Sequence, residues 1–198
     1  MPDIKNLIFF LFTTAFLGFI SCQEVTIEEP VDLDEQRETD INLIEEYLLE
    51  NEITDYGVTP SGARYYVEEQ GSGDPIQRND ILKLDYLAKT LEGTVVFTNI
   101  PAVADTSIAV STGSLLEPRV VTFTESGWSF NFVSFLEGTQ LLNGDGMNEA
   151  VGRGLSMMNV GGKLIVLLPS DQALGAQTTT FIDPFSVLVY EVYPIEKL

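Results

Sequence analysis

VGGKLIVLLPSDQALG, residues 160–175, sets two glycines ahead of an apolar strand, then Pro169, the polar pair Ser170-Asp171 and a short hydrophobic run closing on Gly175. This is a strand that feeds directly into a turn, with proline and polar residues supplying the turn chemistry. The functional question is which reactive side chain such a device would hold in a chain with no histidine and one cysteine. Just upstream, EAVGRGLSMMNVGG (149–162) predicts a short helix. Val151, Leu155 and Met158 fall at i, i+4 and i+7, and Gly161-Gly162 suit its exit.

Outward from there the grammar is mostly strands. SVLVYEVYPI (186–195) is the last of them, and SGARYYVEEQGSG (61–73) is a β-rich run closed by a glycine turn. DILKLDYLAKTLEG (80–93) alternates apolar Ile81, Leu82/Leu84 and Tyr86 with charged residues, and TVVFTNI (94–100) follows its turn. Residues 100–148 are long and punctuated by glycine and polar residues, with SFNFVSF inside them. Antiparallel strands with one short helix predict an α+β domain over 59–198. Ahead of it, Asp34 to about Asn51 predicts a helix: Ile41, Ile44 and Leu48 lie at i, i+3 and i+7, with Leu43 and Tyr47 beside them. Its apolar stripe would pack on the domain or on a partner.

Formal charge is −20 over 198 residues, 44% of them hydrophobic, which is enough for one core. Residues 22–58 hold 13 acids and one base, whereas 59–198 hold 16 acids and 8 bases. With no basic stripe to neutralise phosphates, nucleic acid is not expected as a partner. LIFFLFTTAFLGFIS (7–21) is shorter than the roughly 20 residues a spanning helix needs, and it fits the hydrophobic region of an export signal. Ending at Ser21-Cys22, it resembles a bacterial lipoprotein signal over residues 1–21. A retained membrane anchor, or an ordinary signal with an incidental cysteine, is the alternative. Lipidation of Cys22 would anchor the chain in the cell envelope, on the periplasmic or surface side of an outer membrane. Residues 22–58 would then form an acidic tether and amphipathic helix.

The chemistry available is narrow. Without histidine there is no Ser-His or Cys-His nucleophile pair and no usual zinc site. Phosphate-cradling glycine motifs are missing, so no cofactor is expected. NGDGMNE (143–149) lacks the spacing and terminal bidentate Glu of a calcium loop and is expected to be a plain loop. Glu68 and Glu69 alternate across a strand and cannot share one site. What remains is apolar pockets, hydrogen bonds and shape. Rotation about an Xaa–Pro bond suits that toolkit, because its barrier of roughly 18–20 kcal/mol comes from amide resonance. A dry cradle favours the twisted, less polar transition state over the planar, hydrated ground state, without a nucleophile or a titrating base.

From about residue 61 onward the chain resembles the FKBP-type peptidyl-prolyl isomerases. Gly71-Ser72-Gly73 follows YYVEEQ, as in a strand ending G-x-G, and Pro75 and Asn79-Asp80 sit in the turn. ILKLDY places Tyr86 at the pocket tyrosine of V-x-V-x-Y. LEGTVVFTN matches L-x-D-G-x-x-F-D in Leu91, Gly93 and Phe97. GLSMMNVGGK (154–163), LPSDQALG (168–175) and IDPFSVLVYEV (182–192) match three further family signatures in order and spacing. The resemblance implies a bent antiparallel sheet wrapped around a short helix, with a proline pocket between them lined by Tyr86, Phe97, Val151, Leu174, Ile182 and Tyr190. Thr98, Met147 and Asn148 would border it. Residues 34–58 resemble the helical extension of exported members, and 100–148 is an insertion.

Departures fall in the pocket. Thr98 replaces an aspartate, Asp183 a proline, Leu174 a hydroxyl-bearing tyrosine, and Val151 the tryptophan of the pocket floor. Trp128, Phe130 or Phe132 could refill that floor. Val151 forfeits about 100 Å² of aromatic contact, on the order of 2–3 kcal/mol. Leu174 forfeits a hydrogen bond of roughly 1 kcal/mol. Together these amount to a factor of about 10² to 10³ in rate. The implied function is weak isomerase activity on proline-containing clients, assisting the folding of exported proteins. The alternatives are a non-catalytic polypeptide binder using the same cleft or the insertion, and a structural envelope lipoprotein docked through its acidic helix. On any of these, the turn after Pro169 holds no reactive group; it presents Leu174 to an apolar cleft.

Overall fold

The computed structural model describes residues 31–104, 116–122, 144–177 and 182–198. In chain order the elements are α1 (Leu33–Glu50), β1 (Gly57–Val58), β2 (Arg64–Glu69), β3 (Ile81–Thr90), β4 (Val95–Thr98), α2 (Pro101–Ala104), β5 (Arg119–Thr122), α3 (Gly144–Leu155), β6 (Lys163–Leu168) and β7 (Leu188–Lys197). A 3₁₀ turn, Ser170–Gln172, separates β6 from β7. Asp32 to Leu198 form one compact unit, which includes α1. The expected export signal and Cys22 lie outside the described residues, as do Trp128, Phe130 and Phe132. Among the described residues no helix is long and apolar enough to cross a membrane.

The strands form one seven-stranded sheet in the order β1-β2-β6-β7-β3-β4, with β5 also paired to β3. Every pairing is antiparallel. β3 is the organising strand. It pairs with β7 from Leu82 to Thr90, while its other edge is shared by β5 at Ile81–Leu84 and β4 at Leu87–Lys89. Register shifts at Lys83/Leu84 and Ala88/Lys89 insert irregularities that bend the strand. The expected α+β class, with a bent antiparallel sheet against a short helix, is what the chain forms.

Alternation divides the sheet into two faces. Leu82, Leu84, Tyr86 and Ala88 of β3, Leu164, Val166 and Leu168 of β6, and Leu188, Tyr190 and Val192 of β7 share a core with Met147, Ala150, Val151 and Leu155 of α3. On the opposite face Ile165, Leu167 and Val189 meet Ile44 and Leu48 of α1. The apolar stripe of α1 is therefore used on its own sheet. Its start is set by Asp32, whose side chain accepts from the Asp34 N–H at 3.0 Å. Asp34 and Glu35 in the first turn favour the positive end of the helix dipole.

Two expectations need correction. The segment read as a plain loop, NGDGMNE, supplies the start of α3 from Gly144, and that helix ends at Leu155 rather than running to the glycine pair. Met158 still reaches the core, but from the turn after the helix. Within the 100–148 insertion, Arg119–Thr122 forms β5 and extends the sheet beside β3. α3 lies close to β6 because residue 154 is glycine; a Cβ there would collide with the Leu164 side chain.

Candidate functional site

Tyr86 projects from the middle of β3 toward α3, and its backbone is held from both sides. The Tyr86 N–H donates to Asn99 Oδ1 at 2.7 Å, and the Tyr86 carbonyl accepts from Thr98 Oγ1 at 2.9 Å. Asn99 is fully buried and donates from Nδ2 to the Leu84 carbonyl at 3.1 Å and to the Glu117 carbonyl at 3.1 Å. It thereby joins β3, the end of β4 and the approach to β5. The sequence had not marked Asn99; a polar residue closing an apolar strand, one position after Thr98, was the only signal of it.

Leu174 comes from the 170–175 turn that follows β6. The Gly175 N–H donates to the Ser170 carbonyl at 2.8 Å, and Gly175 takes a positive φ of 56°, which glycine adopts without steric cost. The Gly175 carbonyl accepts from the Phe185 N–H at 2.7 Å, tying the turn to the loop that carries Ile182. From the far side, Asp40 of α1 is fully buried and accepts from the Ser170 N–H at 2.7 Å. Arg37 of α1 pairs with Asp171 of the same turn.

These supports bring the expected residues together. Tyr86, Met147, Val151, Leu174, Ile182 and Tyr190 belong to one apolar cluster between the sheet and α3, and Phe97 packs against it. Met147 and Val151 are one helical turn apart on α3, so they share its inner face. None of those six is more than 3% exposed, whereas Phe97 is half-buried and forms the accessible edge. Ile182 also lines a cleft of about 330 Å³ with Leu91, Phe185 and Val187.

The two polar positions behave differently. Thr98 is fully buried, but its hydroxyl is occupied: it donates to the Tyr86 carbonyl and accepts from the Ile100 N–H at 3.0 Å. Its role is to hold the backbone under Tyr86. Asn148 is half-buried on α3 and is not a member of the cluster.

Electrostatically the site is quiet. Burial pushes the Tyr86 phenol up to about 12, with the Arg119 guanidinium of β5 partly offsetting it. Tyr190 is raised further by burial, and then by Tyr86. Both phenols stay protonated near neutrality. No group of three or more His, Cys, Asp or Glu able to hold a metal ion occurs among the described residues. The site can offer apolar walls, an aromatic edge and phenolic O–H groups.

A seven-stranded antiparallel sheet, a short helix on one face and the matched positions gathered between them make up the arrangement that the resemblance implied. The fold is FKBP-like. The chain is similar to a solved peptidyl-prolyl cis-trans isomerase from Pseudomonas syringae, with 18% identity, 85% of this chain and 97% of that one covered, and a TM-score of 0.48. It is also similar to FkpA from Escherichia coli, at 17% identity over 100% of this chain and 83% of that one, with a TM-score of 0.46. A third likeness is to the N-terminal domain of FKBP42 from Arabidopsis thaliana, at 15% identity, 73% and 93% coverage and a TM-score of 0.43. No protein-family model and no curated protein sequence matches the chain.

Proposed function

We propose that this chain is an FKBP-type peptidyl-prolyl cis-trans isomerase of low turnover that assists the folding of exported proteins. The observation that carries the proposal is the convergence of Tyr86, Phe97, Met147, Val151, Leu174, Ile182 and Tyr190 from β3, β4, α3, the 170–175 turn, the closing loop and β7. An Xaa–Pro segment entering beside Phe97 would leave water for apolar walls. There the planar amide loses the hydration that favours it, while the twisted transition state, having less charge separation, loses less. No proton transfer is required. Export and anchorage through lipid on Cys22 would place this activity in the cell envelope, on proline-containing clients that fold outside the cytoplasm.

One observation favours a second reading. The cluster walls are almost wholly buried, and Leu174 has no hydroxyl, so the same cleft could hold polypeptide without turning it over. The stripe of α1 spent on its own sheet weighs against docking through that helix as the main role.

The test is a proline-peptide isomerisation assay on the purified protein. The expected result is a measurable rate enhancement that falls at least about tenfold in Phe97→Ala, since truncating the aromatic edge removes over 1.36 kcal/mol of contact. Peptide binding with no enhancement would support the second reading. Neither binding nor enhancement would reject both.

A further inference from the structure

We infer that the hydroxyl of Tyr190, and not only its ring, serves the site by donating a hydrogen bond to a carbonyl of the bound Xaa–Pro peptide. This rests on the isomerase reading above and deepens it.

Tyr190 lies in β7, opposite Ala88 of β3 and Val166 of β6, on the face that packs against α3. Its hydroxyl oxygen is buried and has no hydrogen-bond partner among the described residues. Such a group is unusual, because buried polar atoms are nearly always paired. Phenylalanine would fill the same volume without carrying an unpaired O–H. An unspent donor inside an apolar cluster points to an acceptor that arrives from outside.

The surroundings narrow the class of acceptor. Tyr190 sits opposite Ala88 and Val166 in a cluster that also holds Tyr86, Val151 and Leu174, side chains that offer a bound molecule mainly apolar contact. A carboxylate or phosphate buried among these apolar side chains would carry a large desolvation cost, with the Arg119 guanidinium near Tyr86 the cation at hand to offset it. A neutral amide carbonyl meets no such penalty, and a prolyl peptide brings one on each side of the ring. The turn supplies Leu174, which has no donor, so the unpartnered phenol from β7 is a group able to fix the peptide's orientation. Held in place by the sheet, it needs no reorganisation when the amide twists.

The experiment compares the full chain with its Tyr190→Phe variant, using a leucyl-prolyl tetrapeptide. Thermal unfolding without peptide, peptide affinity and kcat/KM are measured on both. The variant is expected to melt at the same or a higher temperature while kcat/KM falls by about five- to tenfold, the worth of one hydrogen bond. Opposite signs in the two readouts distinguish a ligand-facing hydroxyl from a structural one. Equal kcat/KM and affinity in the two proteins would overturn the inference and leave the isomerase reading standing. A clearly lower melting temperature in the variant would also overturn it, by revealing an internal partner. If the unmodified chain neither binds nor turns over the peptide, the isomerase reading itself fails, and this inference fails with it.

Discussion

The two faces of the sheet are built from the same strands but differ in kind. Toward α3 the buried side chains are mainly apolar or aromatic, with the Arg119 guanidinium near Tyr86. Toward α1 an apolar patch around Ile165, Leu167 and Val189 adjoins a network in which Glu191 meets Lys89 at 2.5 Å and Lys163 at 3.0 Å. Tyr193 donates to the same carboxylate. One face is an apolar cluster with two buried phenols; the other combines an apolar patch with ion pairs across the strands. They meet at the 170–175 turn, which Asp40 grips from α1 and which carries Leu174 to the opposite side.

That division predicts separable effects. The largest should come from Ile44→Ala, which deletes a fully buried side chain between α1 and the sheet. Unfolding free energy by denaturant titration should drop by about 2–5 kcal/mol. Turnover per folded molecule should stay unchanged, and a matching loss of turnover would show that the faces are not independent. Next is Asp40→Ala, which leaves the Ser170 N–H without its partner. A cost of about 1–3 kcal/mol is expected, together with a several-fold loss of turnover through a loosened turn. Loss of stability with turnover intact would mean that the turn does not position the site.

The smallest effect is electrostatic and belongs to the α1 face. Burial would raise the pKa of Glu191, but hydrogen bonds from Lys89, Tyr193 and Lys163 outweigh it and hold the carboxyl below the usual 4.5. A depressed value in the folded state means that its stabilisation is complete above pH 4.5 and is lost as pH falls through the lowered value. Glu191→Gln should therefore flatten the acid side of a melting-temperature profile below that pH. An unchanged acid limb would remove Glu191 from the account.

Much of this was legible in the sequence. EAVGRGL, LPSDQALG and IDPFSVLVYEV placed the second half of α3, the turn and β7, because helical spacing, proline turns and alternating strands are local signals, although the helix stops at Leu155, short of the glycine pair. Tyr86 in ILKLDY, Phe97 in LEGTVVFTN, and Leu174, Ile182 and Tyr190 in the later segments were implied by the resemblance to the family. The helix α1 was expected to pack on the domain or on a partner; which surface it covers is a long-range matter. The uninterrupted run LIVLL in β6 signals a strand buried on both faces, so a cover on the second face was implied, and α1 supplies it. Asn99 looked like any polar residue at a strand end, since its partners at Leu84 and Glu117 come together only when β3, β4 and β5 assemble. The start of α3 was hidden by Gly144 and Gly146, whose low helix propensity is overridden by packing of Met147 and Val151.

The most direct measurement is methyl NMR on the full chain, labelled at isoleucine and methionine and titrated with a leucyl-prolyl peptide. Ile182 and Met147, on the α3 side, should shift with peptide concentration, while Ile44 of α1 and Ile165 beneath it stay still. Shifts confined to Ile44 and Ile165, or none at any of the four, would contradict the claim that peptide is received between the sheet and α3.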